Sequence, residues 1–294
     1  MKEIVVISGK GGTGKTTVLA RYARMASGAV IADCDVDAPN LHMLLKPDTL
    51  RREPFVGSKI ATVDTDKCTL CEKCVGPCRF DALHMIDEGG GKRIEIDDGK
   101  CEGCAVCANI CTDGAINMRD RVVGEWFVSD TECGTMVHAL LEPGAENSGR
   151  LVAMVKQMAK KTAKEQGAEL ILVDGPPGIG CPVISALSGA DVVVIVSEPT
   201  ISGLSDFKRA ADLASGFRMR CALIVNKSDL NESMAKSLLE EADKRGIACI
   251  GSVPYDEVLL TLMARGESAG DQDSPAIAEM SKTFDALLRL LRAS

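Results

Sequence analysis

The chain has 294 residues, of which 46% are apolar and 26% are charged, and its formal net charge is −8. This length accommodates one large α/β domain or two smaller ones, and the composition is that of a globular chain, not a disordered one. No apolar run approaches the roughly 20 residues of a membrane span, and the N-terminal run lacks the apolar core and cleavage site of a signal peptide. We therefore expect a cytoplasmic protein without membrane contact, and its acidic charge argues against a nucleic-acid partner.

Short aliphatic or β-branched runs alternate with helix-length segments along most of the chain. In chain order, the predicted strands are Glu3–Ser8, Ala29–Asp33, Leu170–Asp174, Asp191–Val196, Ala222–Asn226 and Ile247–Val253. The predicted helices are Thr16–Met25, Leu151–Lys164, Leu204–Ser215, Ser233–Lys244 and Pro275–Leu291. Apolar runs of this length are typical of strands buried on both faces. The alternation predicts an α/β fold with a doubly wound, mostly parallel sheet.

Between the second and third predicted strands, this alternation gives way to a duplicated cysteine pattern. Of the 13 cysteines, 8 lie between residues 68 and 111, in two C-x2-C-x2-C-x3-C runs with an offset of 33 residues. The runs are Cys68, Cys71, Cys74, Cys78 and Cys101, Cys104, Cys107, Cys111. The same offset relates the apolar residues at 82, 83 and 85 to those at 115, 116 and 118. A repeated spacing with repeated apolar positions predicts a duplicated unit. We interpret residues 64–118 as a small inserted α+β domain, with 1–63 and 119–294 as the two parts of the α/β domain.

The first predicted strand runs into a glycine-rich loop. Residues 9–16 read GKGGTGKT, which satisfies the G-x-x-x-x-G-K-[ST] pattern in its required position between a strand and a helix. Backbone N–H groups of such a loop surround phosphate oxygens, and the helix N-terminus adds a positive partial charge. Lys15 is predicted to reach the β- and γ-phosphates, and the Thr16 hydroxyl to ligate Mg²⁺. The predicted nucleotide-binding residues of this loop are Gly11, Gly12, Thr13, Gly14, Lys15, Thr16 and Thr17.

An additional lysine makes this loop distinctive. The run KGGTGKTT, from Lys10 to Thr17, resembles the deviant Walker A motif of the MinD/Mrp/ParA (SIMIBI) class of P-loop ATPases, which includes the nitrogenase iron protein. In that class the early lysine reaches the nucleotide bound by the partner subunit. The resemblance therefore implies a dimer, formed either with a second copy or with a paralogue, in which Lys10 contributes to catalysis.

Two aspartate motifs extend the resemblance. Asp33-Cys34-Asp35 resembles the switch I segment of the class, in which the position of Asp35 orients the attacking water. The segment from Asp174 to Gly178 resembles Walker B and switch II. By resemblance, Asp33 and Asp174 hold Mg²⁺ through water and Gly178 senses the γ-phosphate. The expected catalytic residues are Lys10, Lys15, Asp35 and Asp174.

The motif expected to recognise the base is compatible with either of two nucleotides. Asn226-Lys227-Ser228-Asp229 reads in isolation as N-K-x-D, in which an aspartate pairs with guanine. In the MinD-like class, Asn226 would contact adenine instead, with help from the loop containing Pro254. We favour ATP (or ADP) with Mg²⁺, and GTP is the alternative.

The cysteine spacing resembles that of bacterial ferredoxins that carry two [4Fe–4S] clusters. The resemblance implies that the fourth cysteine of each run ligates the other cluster. Cluster 1 would use Cys68, Cys71, Cys74 and Cys111, and cluster 2 would use Cys101, Cys104, Cys107 and Cys78. The proline usual after the fourth cysteine is absent, since Arg79 and Thr112 stand there. The alternative is two four-cysteine zinc sites, but three cysteines at this spacing crowd a tetrahedral ion.

Three functions are compatible with a phosphate loop and two cysteine runs in one chain. The first couples ATP-driven dimer closure to electron transfer, and the second couples it to iron–sulfur or metal-centre assembly. Either would need a redox or metallocluster client protein as partner. The third is a positioning or partitioning ATPase with structural or sensory clusters. A further hypothesis places a bridging metal at Cys181, which follows the second aspartate motif.

Overall fold

The computed structural model describes residues 1–87, 89, 91–145, 148–267, 270 and 272–292. The chain divides into two compact units. The first comprises Met1–Glu53, Glu125–Pro143 and Ser148–Ser294, and the second comprises Pro54–Gly124 with Gly144–Asn147. The second unit thus contains the whole range 64–118 that we interpret as an insert.

The structure contains a nine-stranded sheet and a separate two-stranded sheet within the described residues. The strands are β1 (Lys2–Ser8), β2 (Val30–Asp33), β3 (Asp48–Val63), β4 (Leu83–Asp87), β5 (Lys92–Ile96), β6 (Ile116–Thr131), β7 (Gly134–Leu141), β8 (Leu170–Pro177), β9 (Val192–Ser197), β10 (Cys221–Asn226) and β11 (Ala248–Val253). The helices are α1 (Lys15–Met25), α2 (Leu41–Leu45), α3 (Val106–Ile110), α4 (Ser148–Gln166), α5 (Cys181–Leu187), α6 (Ile201–Gly216), α7 (Glu232–Lys244), α8 (Glu257–Ala264) and α9 (Pro275–Arg292). The large sheet has the order β11-β10-β9-β1-β8-β2-β7-β6-β3.

The central strands of the first unit are parallel and buried on both faces. Strand β1 pairs in parallel with β8 and β9, so that Val5 lies opposite Val173 and Val193. Strand β2 pairs in parallel with β8, which places Asp33 opposite Asp174. Because parallel strands end at the same edge, the residues that follow them converge there, and ligands of open α/β sheets bind at this edge.

The predicted α/β architecture with a mostly parallel sheet is confirmed for the first unit. Each of the six predicted strands and five predicted helices is present, with ends shifted by a few residues. The last helix, α9, buries Phe284, Leu287 and Leu291 in the core of this unit. In the part of the chain that is described, no helix combines the length and apolar character that a bilayer span requires.

Three strands at one side of the large sheet, β7, β6 and β3, were not predicted. The first part of β3 is exposed over residues 48–52, and β6 alternates between exposed and buried residues. Strands β3 and β6 thus lack the continuous apolar runs that predict the central strands, and their place depends on pairing within the sheet. Strand β7 is mostly buried, but Thr135 and His138 interrupt its apolar run.

In the second unit, two backbone hydrogen bonds repeat with the same 33-residue offset as the cysteines. The Asp64 N–H donates to the Ala115 carbonyl at 2.7 Å, and the Asp97 N–H donates to the Ala82 carbonyl at 2.8 Å. These two bonds connect the start of each repeat to the end of the other, because 64 and 97, like 82 and 115, differ by 33 residues. The antiparallel pair β4–β5 and a small apolar core complete this unit.

Candidate nucleotide site and cysteine cavities

The glycine loop joins β1 to α1 at the carboxyl edge of the large sheet. Gly12 and Gly14 have φ values of +80° and +90°, in the left-handed region that favours glycine. A Cβ atom at Gly14 would lie 2.2 Å from the Asn226 Nδ2 atom. Helix α1 begins at Lys15, directly after the loop. The positive φ therefore favours glycine at position 14, and a Cβ atom there would also displace the Asn226 side-chain amide.

Lys15 lies between two buried carboxylates. Its Nζ atom is 3.1 Å from Asp35 Oδ2 and 3.3 Å from Asp174 Oδ1. The Thr16 hydroxyl donates to Asp174 Oδ2 at 2.7 Å. Burial by itself would lower the pKa of Lys15, but the charges of Asp174, Asp35 and Asp33 outweigh it and raise that pKa. The side chain of Lys15 therefore stays positively charged at the position where the phosphates of a nucleotide would bind.

Two buried polar atoms at this edge have no hydrogen-bond partner among the residues that the structure describes. They are the Asp33 Oδ2 and Thr13 Oγ1 atoms. The other oxygen of Asp33 accepts a hydrogen bond from the Asp35 N–H at 3.0 Å. Burial and the nearby charge of Asp174 raise the pKa of Asp33 well above its usual range. Because buried polar groups are normally satisfied, these atoms fit a site for phosphate and a hydrated cation.

A cavity of about 500 Å³ opens above this loop. Its polar wall contains the predicted residues Gly11, Gly12, Thr13, Gly14, Lys15, Thr16, Thr17, Asp35, Asn226 and Pro254. Its apolar wall contains Met43, Leu44, Leu259, Leu260, Met263 and Met280. The volume suits a nucleotide-sized ligand. The apolar wall was not predicted, although the mostly apolar run at 258–263, interrupted only by Thr261, could have indicated it.

The predicted base-recognition residues are tied to neighbouring loops. The Asn226 Nδ2 atom donates to the Thr13 carbonyl at 2.7 Å. The Asp229 Oδ1 atom accepts a hydrogen bond from the Tyr255 N–H at 2.6 Å. The Asp256 Oδ1 atom accepts one from the Val258 N–H at 2.8 Å and thereby caps α8. In this structure the aspartate of the N-K-x-D pattern supports the loop that follows β11.

Four of the residues that were predicted to act on the nucleotide or on Mg²⁺ do not line this cavity. Asp33 and Asp174 lie buried behind it, where Asp174 reaches the site through Lys15 and Thr16. Gly178 has φ of +93° and donates its N–H to the Ser8 carbonyl at 2.9 Å. The Lys10 Nζ atom lies 2.5 Å from Glu198 Oε1, a partner that the sequence analysis did not single out.

The eight clustered cysteines of the second unit line two separate cavities. Cys68, Cys71, Cys74 and Cys111 line one, which we call cavity 1. Cys78, Cys101, Cys104 and Cys107 line the other, which we call cavity 2. In each cavity the fourth cysteine comes from the other run.

The cysteine sulfurs accept backbone hydrogen bonds. The Ala115 N–H donates to Cys111 Sγ at 3.3 Å, and the Ala82 N–H donates to Cys78 Sγ at 3.4 Å. Burial raises the pKa of Cys74, and the charges of Cys68, Cys71 and Cys111 raise it further. The Cys74 thiol therefore loses its proton to water less readily than a free thiol, whereas a bound metal would deprotonate it.

The donor set of each cavity is four cysteine sulfurs, and backbone N–H groups donate to Cys111 in cavity 1 and to Cys78 and Cys101 in cavity 2. Such a set is of the kind that iron–sulfur clusters use. Among the described residues, no group of three or more His, Cys, Asp or Glu side chains is placed to hold a metal ion.

The glycine loop, the paired aspartates and the parallel sheet define a P-loop nucleoside triphosphatase. Residues 4–269 match the family of CobQ/CobB/MinD/ParA nucleotide-binding domains, and the chain belongs to that family. An uncharacterised protein of Methanocaldococcus jannaschii is 35% identical over 233 residues, which cover 78% of this chain and 79% of that protein.

Solved structures show the same fold. MinD of Pyrococcus horikoshii, complexed with Mg-ADP, has a TM-score of 0.58 at 18% identity, over 98% of this chain and 96% of that one. MinD in the MinC:MinD cell division complex of Aquifex aeolicus has a TM-score of 0.57 at 20% identity, over 98% and 96%. The family match, together with the phosphate loop, makes the chain a MinD/ParA-like nucleotide-binding ATPase.

Proposed function

We propose that the chain is an ATP-hydrolysing iron–sulfur protein that couples ATP-driven dimer closure to electron transfer through two [4Fe–4S] clusters. The observation that carries this proposal is the pair of four-cysteine cavities in a chain that also has a complete phosphate loop. Soft thiolates in sets of four are typical ligands of such clusters. When bound, the clusters would supply one-electron storage.

The nucleotide site has the groups that phosphoryl transfer needs. Lys15 would neutralise charge on the β- and γ-phosphates, and Asp35 would orient the attacking water. The Thr16 hydroxyl would ligate Mg²⁺ directly, while Asp33 and Asp174 would hold its water ligands. Mg²⁺, when bound, would supply charge neutralisation to the phosphates. Catalysis of this reaction rests mostly on positioning and electrostatic stabilisation.

We propose ATP as the nucleotide. Recognition of guanine needs a carboxylate that accepts from two base N–H groups, and one oxygen of Asp229 is already engaged by the Tyr255 N–H at 2.6 Å, where it supports the loop after β11. The apolar wall, with Met43, Leu260 and Met263, suits the face of a purine. Asn226 and Pro254 would lie beside the base.

Dimer closure is the element that would link the nucleotide to the clusters. In the structure, Lys10 forms an ion pair with Glu198 and donates to the Ser202 hydroxyl at 3.0 Å. The lysine would have to leave these partners to reach a nucleotide across an interface. We propose a dimer with a second copy or a paralogue, and a redox protein as client.

Cluster content is the first test. Protein purified anaerobically should contain about eight iron and eight sulfide ions per chain, the sum of two [4Fe–4S] clusters. Cys74→Ser and Cys107→Ser should each lose about half of the iron, because each removes a ligand from one cluster. Cys249→Ser, at an exposed cysteine outside both cavities, is the matched control. An iron-free wild-type protein with zinc instead would overturn the cluster assignment.

The second test asks whether nucleotide binding changes the reduction potential of the clusters. An EPR-monitored redox titration, with and without MgATP, should show a shift of some tens of millivolts, and about 30 mV corresponds to ~0.7 kcal/mol per electron. Lys15→Met should abolish the shift while keeping the iron content. Two occupied clusters with no shift in the wild type would refute coupling between nucleotide and electrons.

A positioning ATPase is the second candidate, and the likeness to MinD structures favours it. Cluster assembly is the third, and it predicts iron that transfers to an apo-acceptor. In a positioning ATPase, iron content would stay fixed and potentials would be independent of MgATP. Labile iron with nucleotide-dependent release would favour assembly.

A further inference from the structure

The two cysteine cavities have rims that differ in a systematic way. The internal offset of 33 residues relates position 72 to 105, 73 to 106 and 80 to 113. At cavity 1 the three positions carry Glu72, Lys73 and Asp113. At cavity 2 they carry Ala105, Val106 and Phe80. Equivalent backbone positions are therefore charged around one cavity and apolar around the other, and we call Phe80, Ala105 and Val106 the apolar rim.

The rim of cavity 1 is bridged by a hydrogen bond. The Thr69 hydroxyl donates to Asp113 Oδ2 at 2.6 Å. The offset places Glu102 and Phe80 at the corresponding positions of cavity 2, where a phenyl ring offers no carboxylate acceptor. Cavity 2 therefore lacks this bridge.

The apolar rim is exposed to solvent. The exposed fraction of Phe80 is 42% and that of Val106 is 41%. Cys104, on the same cavity, is exposed as well. An exposed phenylalanine and valine beside an exposed cysteine would lose unfavourable contact with water when a partner covered them.

The net charge of the segment that carries this rim, together with Glu102 at cavity 2, indicates what kind of partner would cover it. Residues 64–118 contain 11 acidic and 6 basic side chains, which gives this range a net charge of −5. Glu102 contributes one of these acidic groups directly to cavity 2. A partner with lysines or arginines around an apolar patch would be steered to this surface and then exclude water from it.

We propose that the apolar rim is the docking face for a small basic electron-transfer protein, which approaches the chain at cavity 2 and not at cavity 1. This inference rests on the proposed iron–sulfur function, because docking there brings the partner next to Cys104. Contacts of this kind are small and transient. A partner whose redox centre lies at an apolar patch would meet cavity 2 with few waters between them.

The offset supplies a pair of matched variants for the test. Phe80→Asp with Val106→Lys gives cavity 2 two of the three rim side chains of cavity 1, and the added charges cancel. Lys73→Val with Asp113→Phe makes the reverse exchange at cavity 1 and also leaves the net charge unchanged. The two variants therefore separate apolar contact from overall electrostatics.

Cytochrome c, a small basic haem protein, serves as the probe. Its binding to the anaerobic full-length chain can be measured by calorimetry at low and at physiological ionic strength. We expect the variant at cavity 2 to bind about tenfold more weakly than the wild type, and the variant at cavity 1 to bind at least as tightly. Equal binding by all three proteins, or an equal loss in both variants, would overturn the proposal.

Iron content and visible absorption keep this test separate from that of the proposed function. An iron-free wild type would refute the proposed function, whereas equal iron in all variants with equal binding would refute only the docking face. If the Phe80→Asp/Val106→Lys variant loses iron, Phe80→Ser with Val106→Thr repeats the test with smaller changes. If the apolar rim instead mediates self-association, the wild type would form an oligomer that the Phe80→Asp/Val106→Lys variant dissociates. That result would also refute docking of a redox partner.

Discussion

Asp229 decides between two interpretations of the N-K-x-D pattern, and its substitution distinguishes them. If Asp229 supports the loop after β11, as its 2.6 Å bond from the Tyr255 N–H indicates, its effect on nucleotide binding is indirect. Asp229→Asn keeps an oxygen acceptor at the same position and should change ATP affinity little. Asp229→Ala removes the acceptor and leaves the Tyr255 N–H without it.

The magnitude follows from the kind of bond that is lost. A hydrogen bond to a charged group contributes about 1.5–3 kcal/mol, and this one lies at an exposed position. Solvent screening reduces its contribution to about 1 kcal/mol, which corresponds to an approximately fivefold loss of affinity for ATP. The assay is titration of a fluorescent ATP analogue against wild type, Asp229→Asn and Asp229→Ala, with the GTP and XTP analogues as competitors.

Guanine recognition would give the opposite pattern. An amide at position 229 would lose the two guanine N–H partners and would complement xanthine, whose second carbonyl replaces the guanine amino group. A large loss of GTP binding in Asp229→Asn, together with gained XTP binding, would therefore refute the assignment of Asp229 to loop support. Equal small effects on all nucleotides in Asp229→Asn, with a larger effect in Asp229→Ala, are the expected result.

Three further predictions concern the first unit. Gly14→Ala should lower the free energy of unfolding by at least about 2 kcal/mol in thermal denaturation, because φ is +90° and the new Cβ would lie 2.2 Å from Asn226 Nδ2; an unchanged melting temperature would contradict the loop conformation. Lys15→Met should destabilise the nucleotide-free protein by about 3 kcal/mol in urea titrations, because it removes the cation from the buried carboxylate of Asp174; an equally stable variant would contradict this. Burial lowers the pKa of His138 from 6.5 to about 4, so the unfolded state binds more protons in this window and stability should fall as pH decreases from 6.5 to 4, by at most about 3 kcal/mol. His138→Asn should flatten this dependence, and a variant with the wild-type slope would assign it to other groups.

The central part of the fold was predictable because its signals are local. Runs such as Val192–Val196 are apolar on both faces, and this alone distinguishes a buried parallel strand from an exposed one. Strands β3 and β6 gave no such signal, and residues such as Arg51 and Arg52 of β3 are exposed. Strand β7 is mostly buried, but Thr135 and His138 interrupt its apolar run. Their place in the sheet depends on pairing with distant segments, which no local pattern encodes.

The sequence by itself determined the phosphate loop, the order of the aspartate motifs and the duplicated cysteine spacing, because each depends on residues close together in the chain. Only the tertiary structure decided how distant residues meet. It decided that Lys10 pairs with Glu198, that Asp229 holds the Tyr255 N–H, and that one cysteine cavity has an apolar rim. Spacing along the chain fixes what a loop can bind, whereas the partners of a side chain depend on which segments packing brings beside it.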